Sequence, residues 1–201
     1  MHATHPAVGA ARIGPNSIIQ TVGALEEERG YKETQNFLRR IGQGDFADQL
    51  PTTMIDELAF ISLIGAIRAD MGVEAAGRIL ARAGERTADY LLANRIPAPA
   101  HLVLPRLPRR LGLSLLLKAI SGHAWTFAGT GRFSYTVDAK GAVLSLADSP
   151  ESRGIVADAP ICHYYERCFQ ALLRPLIDRR LVVREVACTA QGAEACVFEV
   201  R

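Results

Sequence analysis

Three cysteines and one glutamate near the C-terminal end of the chain are the residues best suited to chemistry. They are Cys162, Cys188 and Cys196, with Glu185 three residues before the second cysteine. Thiolates and a carboxylate are ligands that zinc takes in structural sites, where four protein ligands leave no position for water. The alternative is that these cysteines are small buried hydrophobic residues, because free cysteine is often buried and the chain has no CxxC pair.

The elements that carry these residues can bring them to one place. The end of the chain is predicted as one helix and two strands, over residues 160–178, 181–189 and 195–200. The connection between the strands, TAQGAEA, contains the glycine that a turn needs. The resulting hairpin places Cys188 beside Cys196, and a helix packed over it brings Cys162, in the first helical turn, within reach.

Glu185 has to overcome a problem of parity to join the site. It lies three residues before Cys188, and side chains an odd number of positions apart point to opposite faces of a strand. Both can reach one ion only if the strand has a bulge or turn at residues 186–187. The fourth cysteine, Cys168, lies six residues after Cys162, on the opposite face of the helix, and is predicted to be a core residue.

The rest of the chain is helical first and mixed later. Helices are predicted over residues 17–29, 31–41, 53–71, 73–94 and 106–121, and short strands over residues 124–127, 132–137 and 142–147. The sequence therefore predicts a flexible N-terminal arm, residues 1–15, and a single α+β domain, residues 16–201. Within that domain, residues 16–100 are mainly helical and residues 101–201 combine helices with an antiparallel sheet.

Composition excludes several classes of protein. The chain has 201 residues, of which 49% are hydrophobic and 22% charged, and this is typical of a folded globular protein. A net charge of +2 with dispersed basic residues does not favour nucleic acid as a partner. No secretory signal is recognisable, and the most apolar run, residues 111–120, is too short to cross a bilayer. We expect a cytoplasmic protein, with peripheral association with a membrane left open, and its four cysteines then favour thiols or metal ligands over disulfides.

Sequence motifs at the C-terminal end resemble a known family. The segment CHYY, followed by a helix and by REVACTAQGAEACVFEV, looks like the 4-vinyl-reductase-type domain, which is similar to haem nitric-oxide sensors and vesicle-tethering subunits. In relatives that sense aromatic compounds, the matching residues bind zinc, so the resemblance implies a structural zinc ion on Cys162, Glu185, Cys188 and Cys196. One departure is residues 166–168, Glu-Arg-Cys, near which the family often has a glycine. The whole chain resembles the members of this family that act in bacteriochlorophyll biosynthesis.

The sequence offers no recognisable site for the reduction that the family name suggests. A vinyl reductase needs a nicotinamide, flavin or iron–sulfur site to deliver electrons. The segment Gly129-Thr130-Gly131 lacks the third glycine of a dinucleotide fingerprint and precedes a strand, so it is predicted to be a hairpin turn. Three cysteines and a glutamate are also a poor match to an iron–sulfur cluster, which prefers four thiolates. We therefore favour a carrier of a magnesium tetrapyrrole, with a true 4-vinyl reductase as the alternative.

A tetrapyrrole carrier needs an apolar wall, groups for the carboxylates and often a ligand for the central metal. The helix at residues 111–120 can supply the wall. The predicted ligand-binding residues are the aromatic Trp125, Phe127, Phe133 and Tyr135, the carboxylate partners Arg106, Arg109 and Arg110, and the magnesium ligands His101 and His123. The alternative is that the aromatic residues are plain core and the arginines a solvated rim.

Two further expectations concern partners. A third function that the sequence leaves open is a sensor or scaffold that contacts magnesium chelatase or a methyltransferase of the same pathway. The apolar stripes of the helices at residues 17–41 can pair across a two-fold axis, which predicts a homodimer.

Overall fold

The computed structural model of the chain describes residues 11–201. The first ten residues of the predicted arm, residues 1–15, lie outside this range. The next few residues pack against the domain, because β1 (Arg12–Ile13) pairs antiparallel with β2 (Ile55–Asp56) and Ile13 is buried. The domain therefore begins a few residues earlier than the composition of the arm indicates.

Helices make up most of the described chain. In order they are α1 (Asn16–Arg29), α2 (Tyr31–Arg40), α3 (Gly44–Asp48), α4 (Glu57–Met71), α5 (Val73–Asn94), α6 (Ala98–Val103), a 3-10 turn (Leu104–Arg106), α7 (Arg109–Gly122), α8 (Trp125–Ala128) and α9 (His163–Leu176). The long helices match the predicted ones within a few residues. In the described residues no helix is both long and apolar enough to cross a bilayer.

A four-stranded antiparallel sheet lies in the second half of the chain. Its strands are β3 (Arg132–Val137), β4 (Ala142–Ala147), β5 (Val183–Ala187) and β6 (Cys196–Val200). They are arranged in the order β3-β4-β6-β5, so β4 and β6 are central and β3 and β5 are the edges. Their buried side chains, among them Leu144, Leu146 and Phe198, belong to the same core as those of the helices. This arrangement confirms the predicted α+β class.

The packing of α5 against α9 holds the helical layer and the sheet together. Gly84 of α5 lies so close to α9 that a Cβ atom there would be 2.1 Å from the carbonyl oxygen of Tyr164. The absence of a side chain at this position lets the two helix backbones approach each other. Because α9 also contacts β5, the position of Gly84 helps to set how α9 meets the sheet.

The main difference from the prediction concerns residues 124–127. The sequence predicts a strand there, whereas Trp125–Ala128 is the short helix α8. A run of four apolar or aromatic residues has no clear period, so composition alone favours a strand. Gly129, with φ of 58°, ends the helix and turns the chain into β3. The Gly129-Thr130-Gly131 segment is therefore a helix-to-strand connection and not a hairpin turn.

The apolar stripes of α1 and α2 are covered within the chain. Ile18, Val22 and Leu25 of α1 and Phe37 and Leu38 of α2 are all buried. These are the stripes from which a homodimer is predicted. They are used for intramolecular packing, so the homodimer stays a prediction without support from this surface.

Candidate functional site

The three predicted cysteines and Glu185 meet at the junction of α9 with the last two strands. Their ligand atoms all lie within 4.8 Å of one another, and all four residues are buried. The Sγ atom of Cys162 lies 3.3 Å from that of Cys196 and 3.8 Å from that of Cys188. The remaining pair, Cys188 and Cys196, is 3.7 Å apart. The fourth cysteine, Cys168, is buried on α9 outside this cluster.

An irregularity in β5 lets Glu185 join the cluster. The pairing of β5 with β6 shifts register between Glu185 and Ala187, at the place where parity required a bulge. The backbone amide of Glu185 donates to the carboxylate of Glu166 on α9, at 2.6 Å. The shift turns the side chains of Glu185 and Cys188 to the same side, although they are three residues apart.

The dimensions of the cluster fit a tetrahedral ion. A zinc–sulfur bond of about 2.3 Å implies sulfur–sulfur edges of about 3.8 Å in a regular tetrahedron. The three observed edges, 3.3, 3.7 and 3.8 Å, lie close to this value. One carboxylate oxygen of Glu185, Oε2, accepts from the backbone amide of Cys162 at 2.7 Å, whereas the buried Oε1 has no partner among the described residues. A buried oxygen without a donor has its lone pairs free to bind a metal ion.

The electrostatics of the cluster point the same way. Burial raises the pKa of Cys162 well above its usual range. Hydrogen bonds from the thiols of Cys162 and Cys188 lower the pKa of Cys196, so the negative charge of the metal-free cluster collects on that sulfur. Burial also raises the pKa of Glu185 to about 7. A divalent cation would supply the positive charge that allows all four groups to ionise together.

Hydroxyl groups surround the sulfur that carries this charge. The Oγ atom of Ser152 lies 3.2 Å from Cys196 Sγ, and Thr189 Oγ1 lies 3.5 Å from the same sulfur. Ser149 Oγ lies 3.8 Å from Cys162 Sγ. These donors support thiolate ligands and orient them. They come from the loop before α9 and from the β5–β6 connection, and sequence reasoning did not single them out.

A buried acid that the sequence did not indicate fixes the start of α9. Glu151 accepts from the backbone amides of Tyr164, at 3.0 Å, and Tyr165, at 3.3 Å, which are first-turn amides without partners inside the helix. The guanidinium of Arg68 lies 3.7 Å from the Glu151 carboxylate and donates to the carbonyl oxygen of Ile161. Together they anchor the residues on both sides of Cys162. Because Arg68 and Glu151 are 83 residues apart, no local sequence signal could have paired them.

The residues predicted to bind a tetrapyrrole separate into two groups. His101, Arg106, Arg109 and Arg110 lie before or at the start of α7, whereas His123, Trp125, Phe127, Phe133 and Tyr135 lie beyond its end. Because α7 has 14 residues, the two groups are about 20 Å apart at 1.5 Å per residue. Arg106 is engaged with the carbonyl oxygen of Leu102 in the preceding turn. The structure thus does not bring the arginines and the aromatic residues into one compact site.

The second group forms an aromatic face at the edge of the sheet, composed of Trp125, Phe127, Phe133 and Tyr135. The rings of Phe127 and Phe133 meet edge to face with centroids 5.5 Å apart, and Phe133 stacks with Tyr135 at 6.4 Å. Their inner side packs on Phe169 of α9. Trp125 is 61% exposed, and the other three rings are only partly buried. The face is therefore partly core and partly open to solvent.

His123, next to this face, is oriented like a metal ligand. Its side chain is exposed, and its Nδ1 lies 3.0 Å from the carbonyl oxygen of Ala119. A carbonyl oxygen can only accept, so Nδ1 carries the proton and Nε2 keeps its lone pair free. Histidines that bind metals commonly use one nitrogen in this way and ligate with the other. Of the two predicted magnesium ligands, His123 has the geometry for this role.

The fold and the cysteine cluster together define a domain of the 4-vinyl-reductase type. The family model of that domain matches residues 142–201, which include β4, α9, the hairpin and all four clustered residues. The fold is also similar to the crystal structure of the phenol-responsive sensory domain of the transcription activator PoxR with phenol, with a TM-score of 0.53. That likeness covers 73% of this chain and 74% of the other at 20% identity, and it concerns the fold alone.

Comparison over the full length identifies the family within that class. The chain is 38% identical to the bacteriochlorophyll synthase 23 kDa chain of Cereibacter sphaeroides over 198 residues, covering 97% of this chain and 92% of the relative. It is 35% identical to the protein of the same name from Rhodobacter capsulatus, covering 93% and 85%. The chain therefore belongs to the family of bacteriochlorophyll synthase 23 kDa chains, BchJ. The resemblance drawn from the C-terminal motifs is confirmed.

Proposed function

We propose that this chain acts in bacteriochlorophyll biosynthesis by binding a magnesium tetrapyrrole and passing it between enzymes of the pathway. Membership of a family named for bacteriochlorophyll synthesis supports the pathway. The observation that supports the ligand is the partly open aromatic face with His123 beside it. A flat macrocycle can stack on such rings, and magnesium in its centre accepts an imidazole nitrogen.

The separation along α7 narrows the proposed pigment site. His123 and the aromatic face form one end, whereas Arg106, Arg109 and Arg110 are too distant to hold the carboxylates of the same molecule. We therefore assign pigment binding to the end with His123 and leave the arginines out of it. In this arrangement the macrocycle meets rings on one side and solvent on the other, which suits a protein that must release its ligand to a partner.

The experiment is a titration of the purified chain with magnesium protoporphyrin, followed by the pigment absorption band and by the fluorescence of Trp125, which is the single tryptophan in the sequence. His123→Ala should weaken binding at least tenfold, about 1.4 kcal/mol, and abolish the spectral shift of the metal-bound pigment. His101→Ala is the matched control and should bind like the wild type. Metal-free protoporphyrin should bind both variants equally. Equal binding of magnesium protoporphyrin by wild type and His123→Ala would contradict the assignment.

The carrier role itself is tested separately. The pure chain is incubated anaerobically with divinyl protochlorophyllide and either NADPH or reduced ferredoxin, and the vinyl group is followed by mass. A carrier leaves the pigment unchanged. Catalytic turnover by the chain alone would refute the carrier role and favour the 4-vinyl reductase.

We further propose that Cys162, Glu185, Cys188 and Cys196 hold a structural zinc ion. Three sulfurs at tetrahedral spacing and a buried carboxylate oxygen without a donor support this. Zinc bound here would supply a cross-link between the start of α9 and the β5–β6 hairpin. All four positions of the ion are filled by protein, so the proposed role is structural.

Elemental analysis tests the zinc proposal. Wild-type protein should contain about one zinc per chain, and Cys188→Ala should lose it together with thermal stability. Cys168→Ala is the matched control, because Cys168 is also a buried cysteine but lies outside the cluster. If Cys188→Ala retains its metal, or if both variants lose it equally, the assignment of the ligands is wrong.

A further inference from the structure

A long segment in the middle of the chain has no acidic side chain. Residues 90–137 contain six arginines and lysines and not one aspartate or glutamate, although the whole chain has a net charge of only +2. The segment includes α6, α7, α8 and β3. Its surface is therefore a positive region on a nearly neutral protein.

The same segment exposes large apolar side chains. Leu102 and Val103 at the end of α6 are 62% and 52% exposed, and Leu111 and Leu115 of α7 are 48% and 47% exposed. Single exposed leucines are ordinary, but several within one short stretch form a patch that usually contacts something. The inner face of α7 packs into the core through Leu113, Leu116 and Leu117, so the exposed leucines belong to a separate outer face.

Helix geometry places apolar and basic residues side by side on that outer face. Leu111 and Leu115 are four residues apart and form one row along α7. Lys118 follows Leu115 by three residues and continues this face by one turn, whereas Arg110 borders it at the start of the helix. Both basic side chains are exposed. A helix that lies on a membrane surface has this pattern, with apolar residues that enter the acyl boundary and basic residues that meet the headgroups.

We propose that the outer face of α7, formed by Leu111 and Leu115 with Arg110 and Lys118, docks on the surface of an anionic membrane. Charge complementarity selects this occupant. A second copy of the chain would bring the same patch against itself across a two-fold axis, so like charges would face each other. Anionic lipid headgroups offer opposite charge across a broad surface, and the long side chains of Arg110 and Lys118 can reach them while Leu111 and Leu115 insert.

Vesicle binding by the full chain tests this docking face. Wild-type protein should bind phosphatidylcholine vesicles that contain phosphatidylglycerol much more tightly than vesicles of phosphatidylcholine alone, and added salt should weaken the binding. Each of Arg110→Gln and Lys118→Gln should lower the affinity for anionic vesicles about fivefold. The double variant Leu111→Ser with Leu115→Ser should lower it further.

Matched controls separate this face from the rest of the surface. Leu58→Ser changes a leucine that is 63% exposed on α4, and Lys32→Gln changes an exposed lysine on α2. Both should bind vesicles like the wild type. The proposal is overturned if wild type does not distinguish anionic from neutral vesicles, or if the α7 variants bind as well as the controls. It is also overturned if the double leucine variant changes the oligomeric state in light scattering while its vesicle binding stays the same, because the face is then an interface between copies.

Discussion

Replacing Gly84 by alanine should separate α5 from α9 and thereby disturb the metal cluster. An added Cβ would lie 2.1 Å from the carbonyl oxygen of Tyr164 and 3.0 Å from the amide nitrogen of Cys168. Both atoms belong to the backbone of α9, so no side chain can rotate away. Gly65 of α4 provides the control, because it also lies inside a helix but an added Cβ there meets no atom within 4 Å.

The expected magnitudes have opposite signs. Alanine is about 1 kcal/mol more favourable than glycine inside a helix, so Gly65→Ala should stabilise the fold by about that amount. Gly84→Ala gains the same term but has to move a carbonyl oxygen by more than about 1 Å to reach an ordinary carbon–oxygen separation. Overpacking of a rigid core costs about 1–3 kcal/mol, and more when the backbone must shift. We expect a net loss of about 2 kcal/mol.

Thermal unfolding and zinc affinity are the measurements. For a chain of this length 1 kcal/mol corresponds to about 2–4 °C in Tm, so Gly84→Ala should melt about 4–8 °C below the wild type and Gly65→Ala about 2–4 °C above it. Tyr164 lies two residues after Cys162, so a shift of α9 should also weaken zinc binding in Gly84→Ala only. If the two variants have the same Tm and zinc affinity, the close approach of α5 and α9 is wrong.

Two other predictions concern thiol reactivity and surface charge. Burial raises the pKa of Cys168 to about 12, so at pH 8 only about one molecule in ten thousand carries its thiolate; a chelator should therefore expose the three clustered cysteines to Ellman's reagent while Cys168 reacts only on unfolding, and a fourth reactive thiol in the folded, chelated protein would contradict this. Glu27 of α1 pairs with Arg82 and Arg86 of α5 at the surface, so Glu27→Gln should lower the free energy of unfolding by less than about 1 kcal/mol, and a difference that persists in high salt would contradict a screened surface interaction.

The metal cluster is the part of the molecule that the sequence predicted best. Residue type limited the candidates to soft ligands, and the hairpin and helix supplied their meeting point. The parity of Glu185 and Cys188 also located the register shift in β5. Such a prediction succeeds because ligand type and strand period are local properties that the sequence states directly.

The contacts around the cluster were not predictable in this way. Glu151 and Arg68 reach the start of α9 from distant segments, and their pairing depends on the packing of α4 beside the loop before α9. The aromatic face was predicted as one group with the arginines because all flank α7 in sequence. Only the length of the helix separates them, since residues at its two ends are close along the chain but not in space. The helix α8 was missed because four apolar residues fit a strand equally well.

Helix α9 connects the proposed metal site to the proposed pigment site. Its first turn is tied to Cys162, and its ring residues Tyr165 and Phe169 form the inner support of Phe127 and Phe133. The hydroxyl of Tyr165 also donates to the carbonyl oxygen of Phe127, at 2.7 Å, which fixes α8 against α9. An ion that holds the start of α9 to the hairpin thus also holds the back of the aromatic face. The cluster can therefore govern pigment binding through position alone, without contact with the pigment.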